Sequence, residues 1–122
     1  LGTSVSGFLT VWAKRQDVWG AVTANVSLCV AGTRCTSQYW GDLPVPNDNE
    51  WHEYLFAWRQ GSEWIQVCGQ RDTIDIRTCE WGDKVGWTAA DTFDGIGLTG
   101  MPLSSDLGDR IWFDDVSVSL LQ

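Results

Sequence analysis

Nine tryptophans are the residues best equipped for chemistry in this chain, against four Phe and two Tyr. An indole offers a flat apolar face and one N–H donor. The C–H face of a sugar ring matches that surface and leaves its hydroxyls at the rim for Gln, Asn, Asp and Arg. By analogy with aromatic pairs, each stacked ring should contribute about 0.5–1.5 kcal/mol beyond the area it buries, so several must act together. Trp58 and Trp64 stand on either side of the turn Gln60-Gly61-Ser62. Alternation puts Trp64 and Gln66 opposite Ile65 and Val67, and this face, with Trp58 and Arg59, is the first expected ligand surface. Trp40 with Tyr39 is the second, and Trp81 with Trp87 the third. Trp19 joins the group expected to be partly exposed, because its neighbours are polar or glycine. Trp12, Trp51 and Trp112 lie inside apolar strands and are expected in the core.

Sixteen carboxylates are available for acid–base or metal chemistry. Glycoside cleavage needs two of them facing each other across a cleft. Glu50 with Glu53, or Asp72 with Asp75, supply the residue types, but nothing in the pattern marks either pair. One histidine, His52, and no G-x-S-x-G elbow leave a hydrolase triad without support. The chain is therefore expected not to be an enzyme. Asp114 and Asp115 are more specific. Asp114 shares strand parity with Val116 and Val118, which points its carboxylate inward. A buried carboxylate must be hydrogen-bonded, paired or metal-bound. A structural calcium ion, which takes oxygen ligands, is one solution, and loop amides are the other. Asp91 and Asp94 form a weaker second cation candidate. Asn25-Val26-Ser27 fits the glycosylation sequon, although it falls mid-strand.

The elements that must position these groups are all strands. Period-two alternation recurs along the chain, and Gly, Asn-Asp and Pro punctuate it. Strands are expected over 5–15, 22–30, 36–40, 51–58, 64–68, 73–79, 93–101 and 111–121. Loops are expected over 43–50 and 104–109, and a long connection over 80–92. On the first strand Leu9, Val11 and Ala13 share one face, and Phe8, Thr10, Trp12 and Lys14 the other. Tyr54, Phe56 and Trp58 share a face of the central strand. Ile74 and Ile76 are expected inward, as are Val116, Val118 and Leu120. About seven or eight short strands in one domain, 1–122, argue for an all-β fold of two packed antiparallel sheets, a β-sandwich.

Composition narrows the partners. Sixteen acidic residues against eight basic ones give a net charge of −8. That disfavours nucleic acid and anionic membrane surfaces, where binding rewards Lys and Arg. A neutral polymer or a cation fits better. No apolar run approaches the roughly 18 residues of a membrane span. The chain begins at Leu1 with no initiator methionine and no leader, so it is expected to be mature, excised or engineered, with any signal peptide already gone, and to be part of a larger secreted protein. Cys29, Cys35, Cys68 and Cys79 match no zinc spacing. Disulfides 29–35 and 68–79 are the preferred pairing of three, with four buried thiols as the alternative. Disulfides would place the chain in an oxidising, extracellular compartment.

Three segments together resemble a known family. Residues 110–119, Arg-Ile-Trp-Phe-Asp-Asp-Val-Ser-Val-Ser, resemble the last strand of jelly-roll carbohydrate-binding modules of secreted polysaccharide-degrading enzymes. Residues 8–15, Phe-Leu-Thr-Val-Trp-Ala-Lys-Arg, resemble their early core strand. Residues 50–58, Glu-Trp-His-Glu-Tyr-Leu-Phe-Ala-Trp, resemble their central strand. The resemblance implies a jelly-roll sandwich that binds a β-linked polysaccharide of glucan or xylan type, with Asp114 or Asp115 on a structural calcium. These modules usually carry a further stretch before the early core strand. The 51–67 region with 93–118 also looks like parts of concanavalin-like lectins and polysaccharide lyases, which share the architecture without fixing the function. Two other readings therefore stand beside the binding module: a structural or adhesion domain of an extracellular assembly, and a lyase or hydrolase fragment.

Overall fold

The computed structural model describes residues 6–16, 24–30, 34–35, 43–61, 64–83, 87–88, 90–91, 93–100 and 110–120, with the backbone alone at 24–25, 30, 34–35, 83, 93–100 and 110–111. These residues form nine strands and one 3-10 turn. The strands are β1 (Gly7–Gln16), β2 (Ala24–Val30), β3 (Arg34–Cys35), β4 (Leu43–Pro44), β5 (His52–Gln60), β6 (Ile65–Arg71), β7 (Gly82–Asp83), β8 (Phe93–Gly100) and β9 (Arg110–Leu120). The all-β expectation holds for this set. No helix among the described residues is long and apolar enough to cross a membrane.

The strands form two sheets. The larger runs β7-β6-β5-β1-β9. In the smaller, β8 follows β2 along its length, while β4 and β3 pair with opposite ends of its other edge. Every pairing is antiparallel. β1 is the axis of the larger sheet, with β5 on one edge and β9 on the other.

Alternation on β1 and β5 decides which side is core. Leu9, Val11 and Ala13 pack with Tyr54, Phe56 and Trp58, with Ile65 and Val67 of β6, and with Val26 and Leu28 of β2. Val45 and Trp87 fill the remaining space from loops. Full burial of one such large side chain is worth about 1.5–3 kcal/mol. The Trp58 ring lies on Gly7, where a Cβ would come within 2.7 Å of Cζ2 and 2.8 Å of the Ser119 carbonyl oxygen. Only glycine allows that approach.

One end of the core is closed by 43–50. The Tyr54 hydroxyl donates to the Pro44 carbonyl at 2.7 Å, and Arg71 Nη1 donates to the same oxygen at 3.2 Å. Burial pushes the Tyr54 phenol well above its ordinary pKa. Buried Arg15 donates to the Val45 carbonyl at 3.2 Å. The segment expected to be all loop thus begins as β4, held to β2.

The opposite face of the larger sheet carries a second apolar cluster. Leu55, Ala57, Cys68 and Cys79 are buried there, with Phe8, Ile76 and Trp81 packed against them. The Cys68–Cys79 disulfide forms as expected. Cys29 is also disulfide-bonded, and its register partner is Cys35, whose side chain lies outside the described set. The expected strand over 73–79 does not form. Asp72 turns the chain out of β6 at φ 62°, and Asp75 caps a 3-10 turn at Ile76–Thr78. The Gln70 side chain accepts from the Asp75 amide at 3.0 Å and donates to Thr78 Oγ1 at 3.0 Å. These bonds fold 72–79 back over the sheet so that Cys79 reaches Cys68. Ile76 is half-buried on this outer face, and Ile74 is exposed rather than inward.

Candidate functional site

The outer face of the larger sheet is divided. Its β5–β6 half is roofed by 72–81, while the half over β1 and β9 carries a row of aromatic residues. Lys14 pairs directly with Trp112 across β1 and β9. Trp51 immediately precedes His52, which pairs with Ala13, so it falls beside Lys14 on the other edge. The Lys14 ammonium lies 5.1 Å from the Trp51 ring centroid and 4.7 Å from that of Trp112. Both distances suit cation–π attraction. In the adjoining row Trp12 pairs with Glu53 on one side and Asp114 on the other. Trp51 is 40% exposed, and Trp12 and Trp112 are half-buried.

This arrangement reverses much of the expected tryptophan partition. Trp12, Trp51 and Trp112, expected in the core, lie on the outer face. Trp58, expected at the ligand surface, is 1% exposed, and Trp87 is fully buried. The reason is parity. Trp58 follows Tyr54 and Phe56 on the core side, and its place beside a turn does not bring it out. Trp87 is held inward by its own carbonyl, which accepts from the Ile65 amide at 3.3 Å. The parity of Trp12 with Lys14, on the face opposite Val11, is the sequence signal that points to the aromatic row.

The expected patch around Gln66 does assemble in part. Arg59 pairs with Gln66 across β5 and β6, and its Nε donates to Gln66 Oε1 at 2.7 Å. The Arg59 guanidinium stacks 4.4 Å from the Trp81 ring centroid. Trp64, two residues before Gln66, is 37% exposed. Trp40, Tyr39 and Trp19 lie outside the described residues.

The expected inward carboxylate on β9 is corrected. Trp12 pairs with Asp114, but Thr10 pairs with Ser117, so β9 holds one residue more than β1 between these points. Asp115 sits in this bulge at φ 50°. A bulge shifts the alternation by one. Asp114 therefore lies on the outer face beside Trp12, whereas Val118 and Leu120 sit opposite Leu9 and Gly7. Both aspartates are exposed, and Asp114 Oδ1 accepts from the Asp115 amide at 2.8 Å. Val116, Val118 and Leu120 are also exposed rather than buried. The second cation candidate makes a turn: Asp91 Oδ2 accepts from the Thr88 amide at 2.7 Å, and the Asp94 side chain lies outside the described set.

A carboxylate–imidazole cluster forms at the end of β5, a group the sequence reading left unmarked. His52 Nε2 is 2.7 Å from Asp48 Oδ2, and Nδ1 is 2.8 Å from Asp72 Oδ2. One side chain thus joins 45–50 to the turn after β6. Partial burial opposes charge on His52, but hydrogen bonds and attraction from Asp72 and Asp48 outweigh it and raise the pKa. For Asp48, slight burial raises the pKa, but the His52 bond, the Glu50 amide at 3.0 Å and the imidazolium charge lower it overall. Asp48, Glu50 and His52 also bring one ligand atom each within 4.8 Å of one another.

No protein-family model, curated protein or solved structure matches the chain.

Proposed function

We propose that the chain is a non-catalytic module that binds a β-linked polysaccharide of the glucan or xylan type on the outer face of its five-stranded sheet. The observation carrying this reading is the row Trp51, Lys14 and Trp112 beside Trp12, which offers partly exposed indoles on neighbouring strands. Strands lie about 4.8 Å apart, so Trp51 and Trp112, two strands apart, are separated by about 10 Å. That width exceeds one sugar ring and suits a chain. Glu53 and Asp114 stand beside Trp12 as acceptors for hydroxyls. Arg59, Gln66 and Trp64 form a second, smaller polar–aromatic patch on the far side of the roofing loop.

The jelly-roll sandwich is the architecture we assign to the two sheets, and an extracellular place within a larger secreted protein is consistent with the disulfide. The reading is tested by electrophoresis in gels containing soluble β-glucan or xylan. Trp51→Ala and Trp112→Ala should abolish retardation; unretarded wild-type protein in every gel would remove the proposal.

One observation favours a structural or adhesion domain instead. β9 ends the order of the larger sheet and exposes Val116, Val118 and Leu120. Such an edge can pair with a neighbouring chain. Light scattering over a concentration series separates the two readings, since an assembly domain grows with concentration and a module does not.

A further inference from the structure

We infer that Lys14 makes the aromatic row selective for a mainly neutral glycan that carries isolated uronate groups. The inference rests on the glycan-binding reading of this face. Its physical basis is the state of the Lys14 charge. The ammonium is held by two indole faces at 4.7 and 5.1 Å, and among the described residues no carboxylate pairs with it. An aromatic quadrupole attracts a cation but carries no net charge, so the positive charge of Lys14 is not neutralised. With sixteen acidic residues in the chain, a lysine kept apart from all the described ones is distinctive. The nearest acidic pair on this face, Glu53 and Asp114, flanks Trp12 in the next row rather than Lys14.

The two rings also fix the position of the ammonium. A flexible four-carbon stem normally loses rotamer freedom when it meets a ligand. Here much of that ordering has already occurred. A sugar lying on Trp51 or Trp112 would bring a carboxylate borne on its ring into reach of Nζ, which would donate a charge-assisted hydrogen bond. A neutral sugar in the same place would leave the ammonium to water.

The surrounding charge sets the opposite limit. Glu53, Asp114 and the net charge of −8 repel a polymer with a carboxylate on every residue. One carboxylate fits at Lys14, and neutral residues fit over Trp12, where the flanking acids accept from hydroxyls. The expected order is a neutral chain with sparse uronates first, the same chain without them second, and a polyuronate last.

Affinity electrophoresis in three gels tests this order: glucuronoxylan, the same xylan with its uronates reduced to neutral sugars, and polygalacturonate. Wild-type protein should bind glucuronoxylan about three- to tenfold more tightly than the reduced polymer. Lys14→Met should remove that difference, and Lys14→Arg should retain it. Raising salt from 50 to 500 mM should likewise shrink the wild-type preference, a readout available if Lys14→Met does not fold. Equal binding of the two xylans, or strongest binding to polygalacturonate, would overturn the inference and leave the glycan-binding reading standing. Binding to none of the three, or to β-glucan alone, overturns it too, and the former removes the xylan part of that reading as well.

Discussion

Trp12 and Asp114 face each other across β1 and β9, and the carboxylate stands there because the bulge at Asp115 takes up one residue outside the ladder immediately afterwards. The same residue keeps Asp114 out of the interior. Asp114→Asn should therefore change stability by less than about 0.5 kcal/mol, as for other exposed substitutions. Thermal unfolding of the variant, with and without chelator, checks this; a large calcium-dependent drop would restore an ion-binding role for the residue.

The two groups of tryptophans should separate cleanly by mutation. Trp58→Ala should cost about 3–5 kcal/mol, because it empties a fully buried site. Trp51→Ala should cost far less in denaturant titration while losing retardation in polysaccharide gels. Similar destabilisation by both would contradict the burial assignment.

Gly7→Ala should destabilise by about 1–3 kcal/mol, the usual range for overpacking. The added methyl would meet both the Trp58 ring and the Ser119 carbonyl oxygen. Urea unfolding measures the loss directly, and an unchanged midpoint would show that the ring moves aside freely.

The Asp48–His52–Asp72 cluster should give stability a pH optimum. His52 has a folded pKa above its ordinary 6.5, so its contribution is complete below that value and fades as pH rises through the folded pKa. Asp48 has a folded pKa below its ordinary 3.8, so its contribution is complete above that value and fades as pH falls through the folded pKa. The cluster is thus strongest between about pH 3.8 and 6.5. Melting temperatures from pH 3 to 9 should fall on the alkaline side for wild type, and His52→Gln should flatten that fall.

Replacing both Cys68 and Cys79 by alanine should cost about 2–4 kcal/mol, the usual range for a disulfide. The bridge ties the end of 72–79 to the outer face, in addition to the hydrogen bonds of Gln70. Increased accessibility of Trp81 to a fluorescence quencher would report that the roof has lifted.

Elements with uninterrupted alternation were legible in the sequence. β1, β5 and β6 carry their core residues where period two places them, down to Ile65 and Val67. The Cys68–Cys79 pairing also followed from local spacing. The failures have different causes, and two of them are breaks in local alternation. The extra residue at Asp115 reset the parity of β9. The left-handed Asp72 and the side-chain bonds of Gln70 and Asp75 converted an apparent strand into a roof. The polarity of its neighbours does not decide whether a tryptophan is buried, because burial depends on which face the other sheet covers. Lys14 was invisible as a site residue because its partners, Trp51 and Trp112, come from distant parts of the chain.

The bulge at Asp115 lets β9 hold one residue more than the ladder needs. The strand is in effect two half-strands spliced with opposite sidedness. Removing Asp115 itself would leave Val116 alone opposite Val11, with Asp114 still beside Trp12 and Trp112 still beside Lys14. A one-residue deletion there would thus spare the aromatic row, whereas one at Phe113 would carry Trp112 opposite Ala13 and turn it to the core side.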